Sequence, residues 1–453
     1  MAGKNQFGSK VGLIAATVGS AVGLGNIWRF PAEAQANGGA AFLIIYIICV
    51  AILGIPVMLA EFSLGRGTGK DAVNSFRKLA PRKKWWVGGA LATLASYLIL
   101  SFYLVVAAWT LEYFWQSITG ELYAGVAAEG MEINFREQMS RYITGSWEPL
   151  LATYVIIGIN IFVVMKGVQK GIEKMSNILM PALFLLLVFF CIVSLTMPKA
   201  SEGLKYFFSP DFSQISAGTV VNALGQAFFS LSLGMGILIT YSAYYPKKTN
   251  LISTSVTVSA LDLTVALLMG IIIFPVVMSF GLDGESLEGA TLVFVTLPEV
   301  FASMPFTRFW SALFFLLLLV AAVTSTISLS EVSVAFMCDK FNMGRKKACW
   351  IVMLPLVALS SLCSLSQGVL SHIRIFSMNI FDFLDTVATN LMLPTSAIIT
   401  CLFLGWIVKK SFIKNELTNH GRINRHLAMG VYWIIKYLAP ILIAVILIAK
   451  FLE

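Results

Sequence analysis

The sequence predicts an all-α polytopic membrane protein of about eleven helices: two inverted five-helix repeats plus one extra helix, with helices one and six unwound at mid-membrane. Three observations carry this. The chain is 58% hydrophobic and only 12% charged, with a mean hydropathy of +0.84, against about 25% charged residues in soluble domains. Apolar runs of spanning length recur from end to end. The first and sixth of these runs, five segments apart, are both interrupted by glycine and hydroxyl residues, a pattern that points to a binding site between two repeats.

The runs fall at about 11–36, 40–64, 88–118, 149–166, 174–196, 218–244, 251–280, 306–338, 347–366, 377–408 and 427–452. With five helices per repeat, an odd number, the second repeat (218–408) is inverted relative to the first (11–196), and 427–452 is an appendage. No long polar block is available for a separate soluble domain. Segment one continues beyond a signal-peptide core and is read as retained. Basic residues fill alternate loops: Lys70, Arg77, Lys78 and Arg82 to Lys84, then Lys166, Lys170 and Lys174, Lys247 and Lys248, Arg345 to Lys347, and Lys409, Lys410 and Lys414. Opposite loops carry Glu121, Glu129, Glu132, Glu137 and Glu148, and Asp283, Glu285 and Glu288. The positive-inside rule then puts the N-terminus in the cytoplasm and Glu453 outside. Alternating placement also removes the net charge of +9 as a nucleic-acid signal. Six scattered cysteines without a CxxC, and histidines 372, 420 and 426 in loops, argue against a disulfide framework or a histidine metal site.

Segment one contains Gly19-Ser20-Ala21-Val22-Gly23-Leu24-Gly25-Asn26, followed by Trp28-Arg29-Phe30-Pro31. Each glycine weakens a helix by roughly 1 kcal/mol relative to alanine. In hydrocarbon a broken helix is tolerated only where its freed backbone groups face protein or a wet cavity. The glycines would equally suit a seam of close helix packing. Segment six repeats the pattern with Phe229-Ser230-Leu231-Ser232-Leu233-Gly234-Met235-Gly236. Intramembrane charges are functional candidates by default: Glu61 in segment two, Asp262 in segment seven, Asp382 and Asp385 in segment ten, and Arg29 after the first break. Paired charges that only hold helices together are the alternative. Segment eight offers Ala321-Ala322-Val323-Thr324-Ser325-Thr326, hydroxyls that can also bond back to their own helix.

Together these pieces resemble the neurotransmitter:sodium symporter family. Gly19 to Pro31 with Asn37-Gly38-Gly39 is similar to its helix-one motif, Gly54-Ile55-Pro56 with Glu61 and Gly65-Arg66 to helix two, and Ser232-Leu233-Gly234 with Tyr241 to helix six. The likeness covers nearly the whole chain and implies the LeuT-type fold. It implies two sodium ions. The first would be held by the Ala21 carbonyl, the side chains of Asn26, Ser230 and Asp262, and the substrate carboxylate. The second would be held by carbonyls of Gly19, Val22 and Ala321 with the hydroxyls of Thr324 and Ser325. Hard alkali cations want such oxygen sets.

The resemblance further implies a substrate carboxylate at the amides of Leu24 and Gly25 and the Tyr103 hydroxyl, on a half-helix N-terminus. The ammonium would meet carbonyls around Ala21, Phe229, Ser230 and Ser232. The side chain would lie among Ile99, Phe229, Met235, Ser328 and Leu329, an apolar set that favours aliphatic and aromatic L-amino acids. An outer gate would pair Arg29 with Asp382 above the site, with Phe229 and Tyr103 as the lid; an inner one would set Lys4 against Asp339 near Tyr244. Gly171 and Pro181 resemble a helix-five motif for unwinding, and a simple kink reads equally well. Tyr46, Gln226 and Ser230 match an anion site of the chloride-dependent members. Ala266 stands where chloride-independent relatives place an acid, but Asp262 lies one turn away on the same face.

The resulting expectation is a sodium-coupled symporter importing hydrophobic L-amino acids by alternating access across a bacterial plasma membrane. Its partners are the small amino acid and the lipid bilayer. A proton-coupled carrier would typically lack the Thr324 and Ser325 ligands, and a sensor would carry a signalling domain. A hydrolase needs a nucleophile–base pair, and no HExxH occurs.

Overall fold

The computed structural model describes residues 6–124, 134–282, 289–419, 421–422 and 425–452. Among these residues there are helices and two isolated bridges but no strand. Among the described residues nine helices are long and apolar enough to span a membrane: helix two (Ala40–Thr68), three (Trp86–Thr119), four (Glu148–Met165), five (Val168–Leu195), seven (Leu251–Phe280), eight (Thr307–Phe341), nine (Arg345–Leu365), ten (Ile380–Ile407) and eleven (His426–Ala449). Helix one comes in two pieces, Lys10–Ala21 and Gly25–Ala36, bent by 57°. Helix six is likewise divided, into Ala217–Ser230 and Ile237–Ser242. The eleven expected segments are all present. Helix five starts earlier than its hydropathy suggests because a π-helical turn, Val168–Glu173, extends it through polar residues. Lys4, Glu129, Glu132, Asp283, Glu285, Glu288, His420 and Glu453 lie outside the described residues.

Local chemistry sets the ends and breaks. Ser9 caps helix one by accepting from the Gly12 N–H, and the helix stops where Val22 turns extended (φ −66°, ψ 115°) ahead of Gly23. Ser216 and Thr219 form a capping box at the start of helix six. Its break places Ser232, Gly234 and Gly236 at φ of 54°, 77° and 71°. Glycine accepts that region freely. A serine there costs roughly 1–2 kcal/mol, offset by the bond its hydroxyl donates to the Ser20 carbonyl at 2.7 Å.

Of these nine spans helix eight is the most buried, with 78% of its apolar window buried, and helix eleven the least, with 28%. Leu185, Leu151 and Phe162 are exposed on the outer surface, as residues facing lipid chains should be.

Candidate functional site

The two breaks meet at the centre of the bundle and are stitched together by side chains. Besides the Ser232–Ser20 bond, Gln226 Nε2 donates to the Gly25 carbonyl at 3.2 Å. Buried Glu61 accepts the Gly234 N–H at 2.7 Å. Ser96 donates to the Met235 carbonyl and Ser396 to the Gly234 carbonyl. Backbone groups freed by unwinding thus find partners inside the protein, as the membrane interior requires.

A cavity of about 40 Å³ sits at this crossing. Of the expected substrate residues, Ala21, Leu24, Gly25, Ile99, Tyr103, Phe229, Ser230, Ser232, Met235 and Leu329 all line it. Ser328 does not: it accepts from Tyr241 at 2.8 Å and donates to the Thr324 carbonyl at 2.9 Å. Helical rotation of 100° per residue turns it away while its neighbour Leu329 faces in. Ser20, Gly23, Asn26, Ile237 and Ser325 complete the wall. Tyr103 accepts the Leu24 N–H at 3.3 Å, placing the phenol at the helix-one break. Space here depends on glycine. A Cβ on Gly25 would stand 3.1 Å from the Phe229 ring, and one on Gly23 3.1 Å from both the Tyr103 and Ser325 hydroxyls. Above lies a second cavity of about 470 Å³, and Leu24, Gly25, Tyr103 and Phe229 line both. These four form the partition.

The residues expected at the first sodium converge. Asp262 is fully buried and accepts from Asn26 Nδ2 at 2.9 Å, Ser230 Oγ at 2.7 Å and the Tyr46 hydroxyl at 3.4 Å. At the second set, Ser325 Oγ lies 3.4 Å from the Val22 carbonyl and Thr324 Oγ1 3.0 Å from the Ala321 carbonyl. A Cβ on Gly19 would be 3.4 Å from Thr324 Cβ, so helix one runs against helix eight at this point. The named donors in both clusters are oxygens, which suit an alkali cation.

The outer gate is arranged otherwise than expected. Arg29 is not paired with Asp382. Its Nε lies 3.8 Å from Glu33, one turn along, and its guanidinium sits 5.5 Å from the Phe229 ring centroid. Asp382 is instead tied to the helix-ten cap, its carboxylate accepting from Asn379 Nδ2 at 2.8 Å. Arg29, Asp382 and Asp385 nevertheless line the same outer cavity. At the basic end of the bundle Asp339 pairs with Lys70 at 3.7 Å and accepts the Asp71 N–H at 3.0 Å. Burial foremost, and then the Asp339 carboxylate, hold the Asp71 carboxyl above the usual carboxylate range. Tyr244 donates to buried Glu331 at 2.8 Å, and Arg345 pairs with the same carboxylate.

Gly171 lies in the π-helical turn, where a Cβ would collide with the Val163 carbonyl, and Pro181 lies inside a continuous helix, Lys174–Leu195. Sequence reasoning missed Glu173 in this turn. Its buried carboxylate accepts from Gly8 N–H (2.7 Å), Ser9 N–H (3.0 Å) and Ser9 Oγ (2.8 Å). The clue was local: an acid amid a basic, glycine-bearing loop.

Two discontinuous helices crossing around a small central pocket are the arrangement of a secondary transporter. The chain belongs to the sodium:neurotransmitter symporter family, whose family model matches residues 4–129 and 133–453. It is 35% identical over 441 residues to YhdH, an uncharacterized sodium-dependent transporter of Bacillus subtilis, covering 97% of this chain and 96% of the relative. The sodium-dependent serotonin transporter of Drosophila melanogaster is 26% identical over 400 residues, 80% of this chain and 64% of its own length. The crystal structure of MhsT in complex with L-phenylalanine is similar, with a TM-score of 0.88 and 41% identity, covering 99% of this chain and 100% of that one. The protein is thus a multi-pass, sodium-coupled membrane transporter of the LeuT-type fold.

Proposed function

We propose that this transporter carries hydrophobic L-amino acids, aliphatic and aromatic, inward with two sodium ions across a bacterial plasma membrane, its N-terminus cytoplasmic. One observation carries the reading: the central pocket is lined both by backbone and hydroxyl groups and by apolar side chains. The Leu24 and Gly25 backbone, Tyr103, Ser230 and Ser232 line it together with Ile99, Phe229, Met235, Ile237 and Leu329. The polar groups suit an amino-acid carboxylate and ammonium. The apolar lining suits an uncharged side chain, and methionine repacks around different shapes. A buried unpaired charge there costs several kcal/mol, which rejects lysine and aspartate. The similarity to a structure holding L-phenylalanine supports the same substrate class.

Asn26, Ser230 and Asp262 would hold the first sodium beside the substrate carboxylate. The Gly19, Val22 and Ala321 carbonyls with Thr324 and Ser325 would hold the second. A carboxylate that ligates sodium makes each ligand tighten the other. The test is uptake of labelled leucine and phenylalanine into proteoliposomes. Uptake is expected with an inward sodium gradient, with competition by valine, isoleucine, tyrosine and tryptophan but not by lysine or aspartate. Equal uptake with choline or potassium outside refutes the coupling, and strong competition by lysine refutes the selectivity.

A further inference from the structure

Helix eleven carries a cluster that the transport site does not use. Trp433 and Tyr437, one turn apart, stack with centroids 5.5 Å apart, and Trp406 at the end of helix ten meets Tyr437 edge-on at 5.3 Å. Two lysines reach these rings. Lys436 Nζ lies 4.3 Å from the Trp406 centroid and 5.8 Å from that of Trp433. Lys410 Nζ lies 5.2 Å from Trp433 and 5.3 Å from Tyr432. Backbone contact fixes the arrangement. A Cβ on Gly405 would stand 2.9 Å from Lys436 Cα, Tyr432 donates to the Gly405 carbonyl at 3.1 Å, and Trp406 donates to the Lys436 carbonyl at 3.2 Å.

Trp406, Trp433 and Tyr437 are 56%, 47% and 44% exposed, large aromatics turned outward at the basic end of the bundle. Amphipathic rings in such a position sit at headgroup level. Among the described residues, neither Lys410 nor Lys436 has a carboxylate within ion-pair distance. Lys436 is also a charge set inside an apolar span, where ionisable residues are retained for a partner. Ring faces attract an ammonium but neutralise none of its charge. Lys409 and Lys414 add to the positive field, and residues 425–452 contain no Asp or Glu. A second copy docked on this face would bring more lysine and no counter-charge.

We propose that Lys410, Lys436 and the Trp406–Trp433 rings form a binding site for an anionic phospholipid. The two ammonium groups clasp its phosphodiester, and an acyl chain lies along exposed Leu438, Ile441, Val445 and Ile448. A zwitterionic lipid would set its own ammonium against the lysines, so the site prefers net negative headgroups.

The test incubates the full-length transporter with equimolar phosphatidylglycerol and phosphatidylcholine and reads bound lipid by native mass spectrometry. A several-fold excess of bound phosphatidylglycerol is expected. It should fall toward parity in Lys410→Gln/Lys436→Gln and be kept in Lys436→Arg, with phenylalanine binding unchanged in both. An excess that the double Gln variant leaves intact overturns the site, as does parity in the unmodified protein. A shift in oligomeric mass without a change in lipid ratio also overturns it and assigns the face to a second copy.

Discussion

Replacing Asp262 with asparagine tests how this site balances its charge. The carboxylate is fully buried and accepts from Asn26, Ser230 and Tyr46 at 2.9, 2.7 and 3.4 Å. Tyr46 and Ser230, with Gln226, are the residues that in chloride-dependent relatives would face an anion, so Asp262 already occupies that neighbourhood. The two sodium ions and zwitterionic substrate proposed above would leave excess positive charge. At ~4 Å and an effective dielectric constant of 20, one fixed carboxylate offsets about 4 kcal/mol of it, which corresponds to roughly three decades of affinity. Asparagine keeps the shape and loses the charge. Initial-rate uptake of labelled leucine into proteoliposomes, with sodium titrated in gluconate or chloride, reads the effect. Unmodified protein should give the same sodium curve in both media. Asp262→Asn should lose about two to three decades of sodium affinity in gluconate and regain part of it in chloride. An absolute chloride requirement in the unmodified protein refutes the reasoning, as does an unshifted sodium curve for the variant in gluconate.

Met235→Phe fills the apolar wall, and overpacking of about 1–3 kcal/mol should weaken tryptophan relative to valine by roughly tenfold in competition uptake; an unchanged ratio refutes Met235 as a size determinant. Arg29→Asp should impair uptake, and because Asp382 is held by Asn379 rather than by Arg29, the Arg29→Asp/Asp382→Arg swap should restore none of it; partial recovery of uptake in the swap refutes that arrangement. Asp71 caps the Val73 and Asn74 N–H groups at 3.0 and 3.2 Å and is held above the usual carboxylate range, first by burial and then by Asp339. A raised folded-state value means that its stabilising contribution is complete below the ordinary carboxylate value and is lost as pH rises through the raised one. Asp71→Asn keeps the cap without the charge, so its melting temperature should exceed the parent's by more at pH 7 than at pH 4, and equal gaps refute the account.

The spans were legible because hydropathy is a sum over twenty or so residues and tolerates local irregularity. The two breaks were legible because three glycines in seven positions of segment one, and two glycines with two serines in seven positions of segment six, have few uses inside a membrane helix. Their stitching was not. Ser96 and Ser396 read as ordinary mid-helix serines, which usually bond back to their own helix, yet each reaches a carbonyl of helix six more than 130 residues away. Helix five began six residues early because Val168–Glu173 is polar and closes a π-helical turn, which no hydropathy window favours. The inner pairs Lys70–Asp339 and Arg345–Glu331 were missed for a related reason. Sequence shows which charges lie near a membrane boundary but not which of several basic residues reaches a given carboxylate. Ser328 failed by helical phase alone.

The physical link between substrate and cations lies in one short stretch of backbone. Within Ser20 to Gly25, the Ser20 carbonyl takes Ser232, the Val22 carbonyl takes Ser325, the Leu24 N–H goes to Tyr103, and the Gly25 carbonyl takes Gln226. Helices three, six and eight therefore all read the conformation of the same six residues. A cation that fixes the Val22 carbonyl shapes the neighbouring Leu24 and Gly25 amides, and the reverse holds by thermodynamic necessity. The same piece of helix one is clamped at its other end, where Glu173 holds the Gly8 and Ser9 amides. Swinging that piece outward strips a buried carboxylate of three donors, at a cost of about 1.5–3 kcal/mol for each such bond unless water replaces it.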